Sequence, residues 1–197
     1  MAKLYFRHAT VNSGKSARLA IEVHNDRLSG RRVLVFTAAI DDRAGRGRVV
    51  SRVPGLELQA DAAVAFPGDI LVALRAQPER PDFIYCDESQ FYSRDCIEML
   101  RDIATFEGIP VMCYGLRTDW KLGLFEGSAA LFALADEFQE IKSMCSAWDK
   151  KCKRKAFSNT KHRNRQPVLS GPQVEIGAED HYCAMCYQHH VEFTTRP

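Results

Sequence analysis

The sequence predicts an α/β fold built on a mostly parallel sheet, and two observations carry that prediction. Short apolar runs rich in β-branched and aromatic residues recur along the chain, and helix-like segments separate them. Strands alternating with helices connect by right-handed crossovers, which gives parallel strands. Leu4-Tyr5-Phe6 is the first such run, followed by a helical pattern over residues 15 to 28 and by Gly30, placed as a helix C-cap. Val33-Leu34-Val35-Phe36 is the second strand, and a helical segment follows at 68 to 77. Phe83-Ile84-Tyr85-Cys86 is the third, with a helix over 93 to 107 that stops at Gly108. Pro110-Val111-Met112-Cys113-Tyr114 is the fourth, before a helix at 127 to 135. Parallel sheets place their sites beyond the C-terminal ends of the strands. The loops after Phe6, Cys86 and Tyr114 are therefore expected to meet at one crevice.

Beyond residue 142 the pattern changes. Lys150-Lys151-Cys152-Lys153-Arg154-Lys155 is a charge run, and the stretch up to Gly177 is polar, with Pro167, Gly171 and Pro172. Regular structure is not expected there, and a segment of this size needs a metal staple to order itself. Two domains follow, 1–142 as an α/β core and 143–197 as a smaller metal-tied loop module. With 197 residues, 46% hydrophobic and a formal charge of +2, the chain can bury one full core and has no electrostatic bias toward nucleic acid or membrane. No apolar run is long enough to span a bilayer, and Met1–Phe6 lacks a signal-peptide layout, so a cytoplasmic location is expected. Seven cysteines, an odd number, fall in strand contexts (Cys86, Cys96, Cys113) or in a C-terminal group, which argues against a disulfide scaffold.

Ala9-Thr10-Val11-Asn12-Ser13-Gly14-Lys15-Ser16 lies between a strand and a helix, the context of a phosphate-binding P-loop. Its backbone N–H groups and the helix N-terminus would surround an anion. Lys15 would reach the β and γ phosphates of ATP, and Ser16 would ligate Mg2+. Ala9 stands where the motif has its first glycine, which is tolerated only if that residue keeps φ below zero. The fold is thus predicted as a P-loop, RecA-like α/β domain.

The apolar strand before Asp87-Glu88 makes that pair the acidic counterpart of the loop. Asp87 would position the magnesium, and Glu88 would be the general base for an attacking hydroxyl. An isolated Asp-Glu is more often a surface or helix-start feature. Its place after a buried strand, behind a P-loop, favours chemistry.

At Asp87-Glu88-Ser89-Gln90-Phe91 the sequence begins to resemble the thymidine kinases of the cellular and bacterial type. Lys3-Leu4-Tyr5-Phe6 with the variant P-loop, Ile40-Asp41-Asp42-Arg43, Tyr114-Gly115-Leu116-Arg117-Thr118-Asp119, Leu124-Phe125 and Gly127-Ser128 extend the resemblance over nearly the whole chain. Bacterial members also lack the first P-loop glycine. The resemblance implies transfer of the γ-phosphate of ATP to the 5′-hydroxyl of thymidine, with Glu88 as base and Ser89, Gln90 and Arg43 joining residues 9–16 and Asp87 at the ATP end. Arg117 is a further basic candidate near the phosphates. Phe91 corresponds to an aromatic contacting the thymine ring, and Trp120, where relatives often carry phenylalanine, would be a second wall. Leu116 and Phe125 are implied beside them. Val174-Glu175-Ile176-Gly177 and Tyr182 resemble the lasso that closes the nucleoside pocket through backbone groups. A homotetramer and feedback inhibition by dTTP are further implications.

Cys145, Cys152, Cys183, Cys186, His189 and His190 offer more donors than a tetrahedral zinc site needs. Cys183 with Cys186 has C-x-x-C spacing, and Cys186 with His189 has C-x-x-H spacing. The resemblance implies Cys145, Cys152, Cys186 and His189 as ligands of a structural Zn2+. An all-cysteine set with Cys183 is the chemical alternative. Six residues between Cys145 and Cys152, including Trp148, exceed the family's usual spacing. Two other functions share part of this pattern. A P-loop ATPase with a nucleic-acid-binding zinc module would show nucleic-acid-stimulated turnover, and a zinc adaptor would not bind ATP. The basic run lacks the aromatic interleaving of a single-strand platform, so no nucleic-acid partner is expected.

Overall fold

A computed structural model describes residues 1–41, 45, 47–148, 152–174 and 182–195. Six parallel strands form the main sheet: β1 (Leu4–Ala9), β2 (Val33–Ala38), β5 (Ala62–Val64), β6 (Phe83–Cys86), β7 (Val111–Leu116) and β8 (Glu137–Glu140), in the order β5-β2-β6-β7-β1-β8. The predicted α/β class is correct. The four predicted strands occupy the sheet's centre because their residues are apolar on both faces, as a doubly covered parallel sheet requires. Leu4, Phe6, Leu34, Phe36, Ile84, Cys86, Val111 and Cys113 point to one face. There they join α2 (Pro67–Arg75), α3 (Arg94–Asp102) and α4 (Glu126–Leu134). Val35, Tyr85 and Tyr114 point to the other, against Leu19 and Val23 of α1 (Lys15–Leu28) and Val49 of a hairpin formed by β3 (Arg48–Val50) and β4 (Glu57–Gln59).

The helix ends follow local chemistry. Gly30 (φ 77°) and Gly108 (φ 65°) take the left-handed conformation expected of them. The predicted 93–107 helix is α-helical over Arg94–Asp102, capped by Ser93 Oγ accepting from the Cys96 N–H, and then widens into a π turn over Ile103–Glu107. On the α1 face, Tyr114 OH donates to Glu22 at 2.6 Å, and Arg7 donates to both. This partly buried network pins the helix that starts after Gly14.

The expectation of irregular structure after residue 142 is corrected. Strand β9 (Ser158–Arg163) pairs with β10 (Gln166–Pro167) and β11 (Tyr182–Met185) in a three-stranded antiparallel sheet, and α5 (Tyr187–Thr195) follows. Ser158-Asn159-Thr160-Lys161 is almost wholly buried although none of the four is apolar. The burial is possible because partners satisfy these groups: Ser158 Oγ and Thr160 Oγ1 lie 2.9 Å apart, and Thr160 Oγ1 is 2.9 Å from His190 Nδ1. Among the described residues no helix is long and apolar enough to cross a membrane.

Candidate active site

In the sheet order β6-β7-β1, the loops leaving these three strands are neighbours at one edge. Ala9 ends β1 in extended conformation, so its methyl meets no left-handed requirement. The reversal is made instead at Asn12 (φ 58°) and Gly14 (φ 79°). Asparagine tolerates that region and glycine enters it without strain. Lys15 is buried, and its Nζ donates to the Thr10 carbonyl at 3.0 Å, across the mouth of the loop. The loop is also held from outside: Thr10 Oγ1 lies 2.9 Å from Ser143 Oγ, and the Val11 N–H donates to Asn159 Oδ1.

Asp87 follows β6 and is 3% exposed. Burial first, and the adjacent Glu88 carboxylate second, push its pKa up to about 7 against the Ser16 hydroxyl and Lys15. Its Oδ1 has no hydrogen-bond partner among the described residues. A buried carboxylate oxygen beside a serine hydroxyl, aimed at a phosphate loop, is the donor set Mg2+ accepts. Glu88 adopts φ 48° and ψ 35°, a left-handed conformation that costs a non-glycine residue about 1 kcal/mol or more. The short helical turn Ser89–Phe91 holds it there: Ser89 Oγ donates to the Tyr114 carbonyl, Gln90 Oε1 accepts from the Leu116 N–H at 2.9 Å, and Gln90 Nε2 donates to the Glu88 carboxylate. Gly115 and Gly127 let this turn sit close, because a Cβ at Gly115 would lie 2.8 Å from Gln90 Oε1 and one at Gly127 would lie 2.3 Å from the Ser89 carbonyl.

One cavity of about 800 Å³ joins these groups to an aromatic chamber. Asn12, Ser13, Gly14, Lys15, Ser16, Asp87 and Glu88 line one end, and Phe91, Leu116, Trp120, Phe125, Val174 and Tyr182 line the other. Phe91 and Phe125 meet edge to face at 5.6 Å. Trp120 is both wall and latch, since its Nε1 donates to the Pro172 carbonyl at 3.1 Å. Lys121 Nζ reaches the Gly171 carbonyl at 2.9 Å, and Gln173 Nε2 donates to Asp119 Oδ2 at 2.8 Å. Asp119 in turn accepts from the Lys121 and Gly123 N–H groups. The segment 171–173 is thus fastened to the loop after β7.

Ala9, Thr10 and Ser89 do not line the cavity; they shape the loops around it. Arg117 does not line the cavity: its guanidinium lies 4.2 Å from the Phe157 ring centre and donates to the Phe157 carbonyl. Arg43, Glu175, Ile176 and Gly177 lie outside the described residues. Asp41, Arg48, Ser51, Arg52 and Asn159 line the cavity without having been singled out from sequence as site residues. Pro54-Gly55, a turn signal between two short apolar stretches, could have revealed the β3–β4 hairpin that brings Arg48 and Arg52 there. Nothing local marks Asn159.

Beyond residue 142, Cys145, Cys152, Cys186 and His189 place their donor atoms within 4.8 Å of one another. Cys152 and Cys186 Sγ are 3.9 Å apart, and Cys145 Sγ is 3.3 Å from His189 Nδ1. A tetrahedron with Zn–S bonds of about 2.3 Å has S···S edges of about 3.8 Å, so the set fits structural zinc. Burial opposes ionisation of Cys186. Even so, the His189 N–H, the Arg154 side chain and the neighbouring thiols hold its pKa below the ordinary value. Cys183 is outside the set and donates to the Ser146 carbonyl at 3.2 Å, while burial raises its pKa. His190 bonds Thr160 instead. In the long Cys145–Cys152 connection, Trp148 packs on Phe193 at 4.9 Å and on His162 at 5.1 Å.

The family model described as thymidine kinase matches residues 2–190. The chain belongs to the thymidine kinase family. It is similar to the thymidine kinase of Novosphingobium aromaticivorans, at 42% identity over 196 residues covering 98% of each chain. It is also similar to that of Streptococcus gordonii, at 37% identity over 96% of each chain. A third relative, from Zymomonas mobilis, is 40% identical over 98% of this chain and 97% of its own. Membership makes this chain a kinase with thymidine and ATP as substrates.

Proposed function

We propose that the kinase binds the ATP phosphates on residues 12–16 and transfers the γ-phosphate to the 5′-hydroxyl of thymidine held between Phe91, Leu116, Trp120, Phe125, Val174 and Tyr182, giving dTMP for nucleoside salvage. The observation that carries this reading is Glu88, held in a left-handed backbone conformation and oriented by Gln90, in the wall of the same cavity as the phosphate loop and Phe91. A carboxylate there can accept the hydroxyl proton as the oxygen attacks phosphorus. Lys15 would leave the Thr10 carbonyl for the β and γ phosphates and stabilise the charge that spreads over the phosphoryl oxygens. Ser16 and Asp87 would hold Mg2+, which neutralises the same oxygens when bound. Arg43 is kept as a phosphate contact, and Glu175, Ile176 and Gly177 as backbone contacts to the base, on the family resemblance. Zinc in the Cys145–Cys152–Cys186–His189 site is structural, because protein fills all four positions.

A molecule carrying thymine at one end and a triphosphate at the other matches both ends of the cavity, which supports dTTP as a feedback inhibitor. A homotetramer is proposed from the resemblance, with exposed Phe66, Val72 and Phe106 as apolar surface available for subunit contact. We place the enzyme in the cytoplasm. The test is transfer from γ-labelled ATP to thymidine: Glu88→Gln is expected to abolish transfer while ATP binding persists. Phosphate release to water at one rate with and without nucleoside would overturn the reading.

A further inference from the structure

Asn159 lies in β9, the central strand of the C-terminal sheet, and is 3% exposed. Its side chain nevertheless serves the other half of the molecule. Oδ1 accepts from the Val11 N–H at 2.7 Å, and Nδ2 donates to the Thr118 carbonyl at 2.7 Å. A backbone N–H can only donate and a carbonyl can only accept, so the two partners fix the orientation of the carboxamide. A carboxylate in its place would turn a lone pair toward the Thr118 oxygen, and an apolar side chain would leave both backbone groups buried and unpaired.

Val11 sits inside the phosphate loop, between the end of β1 at Ala9 and the left-handed residue Asn12. Thr118 belongs to the loop after β7. Flanking Asn159, Ser158 and Thr160 bond to each other, to the Met185 carbonyl of β11 and to His190, the neighbour of a metal-site residue. One amide therefore joins the phosphate loop, the nucleoside-side loop and the strand braced by the metal-tied module. The Val11 peptide, which forms no part of the strand or helix ladders, has its orientation set by this contact, and the following N–H groups of the loop inherit that orientation. Thr10 Oγ1 to Ser143 Oγ is a second side-chain bond to this loop from beyond residue 142, and it acts one residue earlier, where the chain is still leaving β1.

We propose that Asn159 is a positioning residue for the phosphate loop, so that the C-terminal module sets nucleotide affinity through a side chain outside the nucleotide-binding motif. The inference rests on residues 12–16 being the phosphate site, and not on which nucleoside is the acceptor. The experiment is calorimetric titration of the zinc-loaded full chain with Mg-ADP, without nucleoside, alongside zinc content and thermal unfolding. Asn159→Leu keeps the number and branching of the side-chain heavy atoms, replaces the two polar ends by larger methyl groups and removes both hydrogen bonds, and it is expected to weaken Mg-ADP binding about tenfold with zinc retained. Asn159→Ser, whose hydroxyl can serve one partner, is expected to lose less. A purely structural role would lower the unfolding temperature of both variants without separating their ADP affinities. An Asn159→Leu affinity within about twofold of wild type, or a change confined to the thymidine KM, would overturn the proposal. Should Asn159→Leu lose zinc or unfold, the comparison passes to Asn159→Ser, which must bind ADP more weakly than wild type for the proposal to survive. Wild-type protein that fails to bind Mg-ADP would sink the phosphate-site reading itself. Wild-type protein that binds Mg-ADP but does not phosphorylate thymidine would sink only the acceptor assignment.

Discussion

Gly127→Ala is the substitution that most directly probes how Glu88 is held. Gly127 lies in the first turn of α4, and its α-carbon faces the carbonyls of the 89–92 turn. A methyl group there would stand 2.3 Å from the Ser89 oxygen, 2.7 Å from that of Tyr92 and 3.0 Å from that of Gln90. Ordinary carbon–oxygen contact requires about 3.4 Å, so helix and turn must separate by about 1 Å. Neither side can yield cheaply. Ser128 Oγ holds α4 to the Leu116 carbonyl at 2.6 Å, and Ala130 and Leu131 are embedded in the core. The turn is held by Ser89 Oγ on the Tyr114 carbonyl and by Gln90 Oε1 on the Leu116 N–H. Overpacking of this kind costs about 1–3 kcal/mol of stability. A base displaced by about 1 Å loses on the order of a hundredfold in rate. The assay is steady-state transfer to thymidine at saturating ATP, with thermal unfolding and Mg-ADP binding as companions. Expected are a fall in kcat of that order, a lower unfolding temperature and unchanged ADP affinity, because the phosphate loop hangs on β1 and not on this turn. Wild-type kcat with unchanged stability would refute the close packing that positions Glu88.

Purified protein is expected to carry about one zinc per chain, measured by atomic emission; Cys186→Ala should lose it and Cys183→Ala should keep it, whereas equal loss in both would contradict the assigned set. Tyr114→Phe removes a buried donor to Glu22 and should cost about 1–3 kcal/mol at neutral pH, read by urea unfolding. Burial raises the Glu22 pKa, but bonds from Tyr114, Arg7 and Arg18 outweigh it and leave the value lowered. Stability from a lowered carboxyl pKa is present above the ordinary carboxylate range and is lost as pH falls through the depressed value. The gap between wild type and Tyr114→Phe should therefore shrink below about pH 4, and a gap independent of pH would contradict the network.

Several features were legible in sequence because they are local. The four central strands are apolar on both faces, and the glycine caps at 30 and 108 need no distant partner. The edge strand β8 escaped because Glu137-Phe138-Gln139-Glu140 is largely exposed and polar, and its register comes from β1. The buried polar strand β9 escaped for a related reason: periodicity detects apolar faces, and these side chains are buried only because Met185, His190, Val11 and Thr118 supply their hydrogen bonds.

By itself the sequence determined the strand–loop–helix pattern around residues 9–16, the acidic pair after a buried strand and the kinds of side chain open to a metal, since each is a short pattern whose chemistry lies in neighbouring residues. Tertiary structure alone decided which donors meet. It brought Cys145 and Cys152 together across six residues, sent Cys183 to a serine carbonyl and turned Arg117 onto Phe157. It also gave the Trp120 N–H a partner at Pro172 and set Asn159 against the phosphate loop. The physical reason is that a polar group's role depends on the partner it finds, and in these cases the fold supplies that partner from a distant part of the chain.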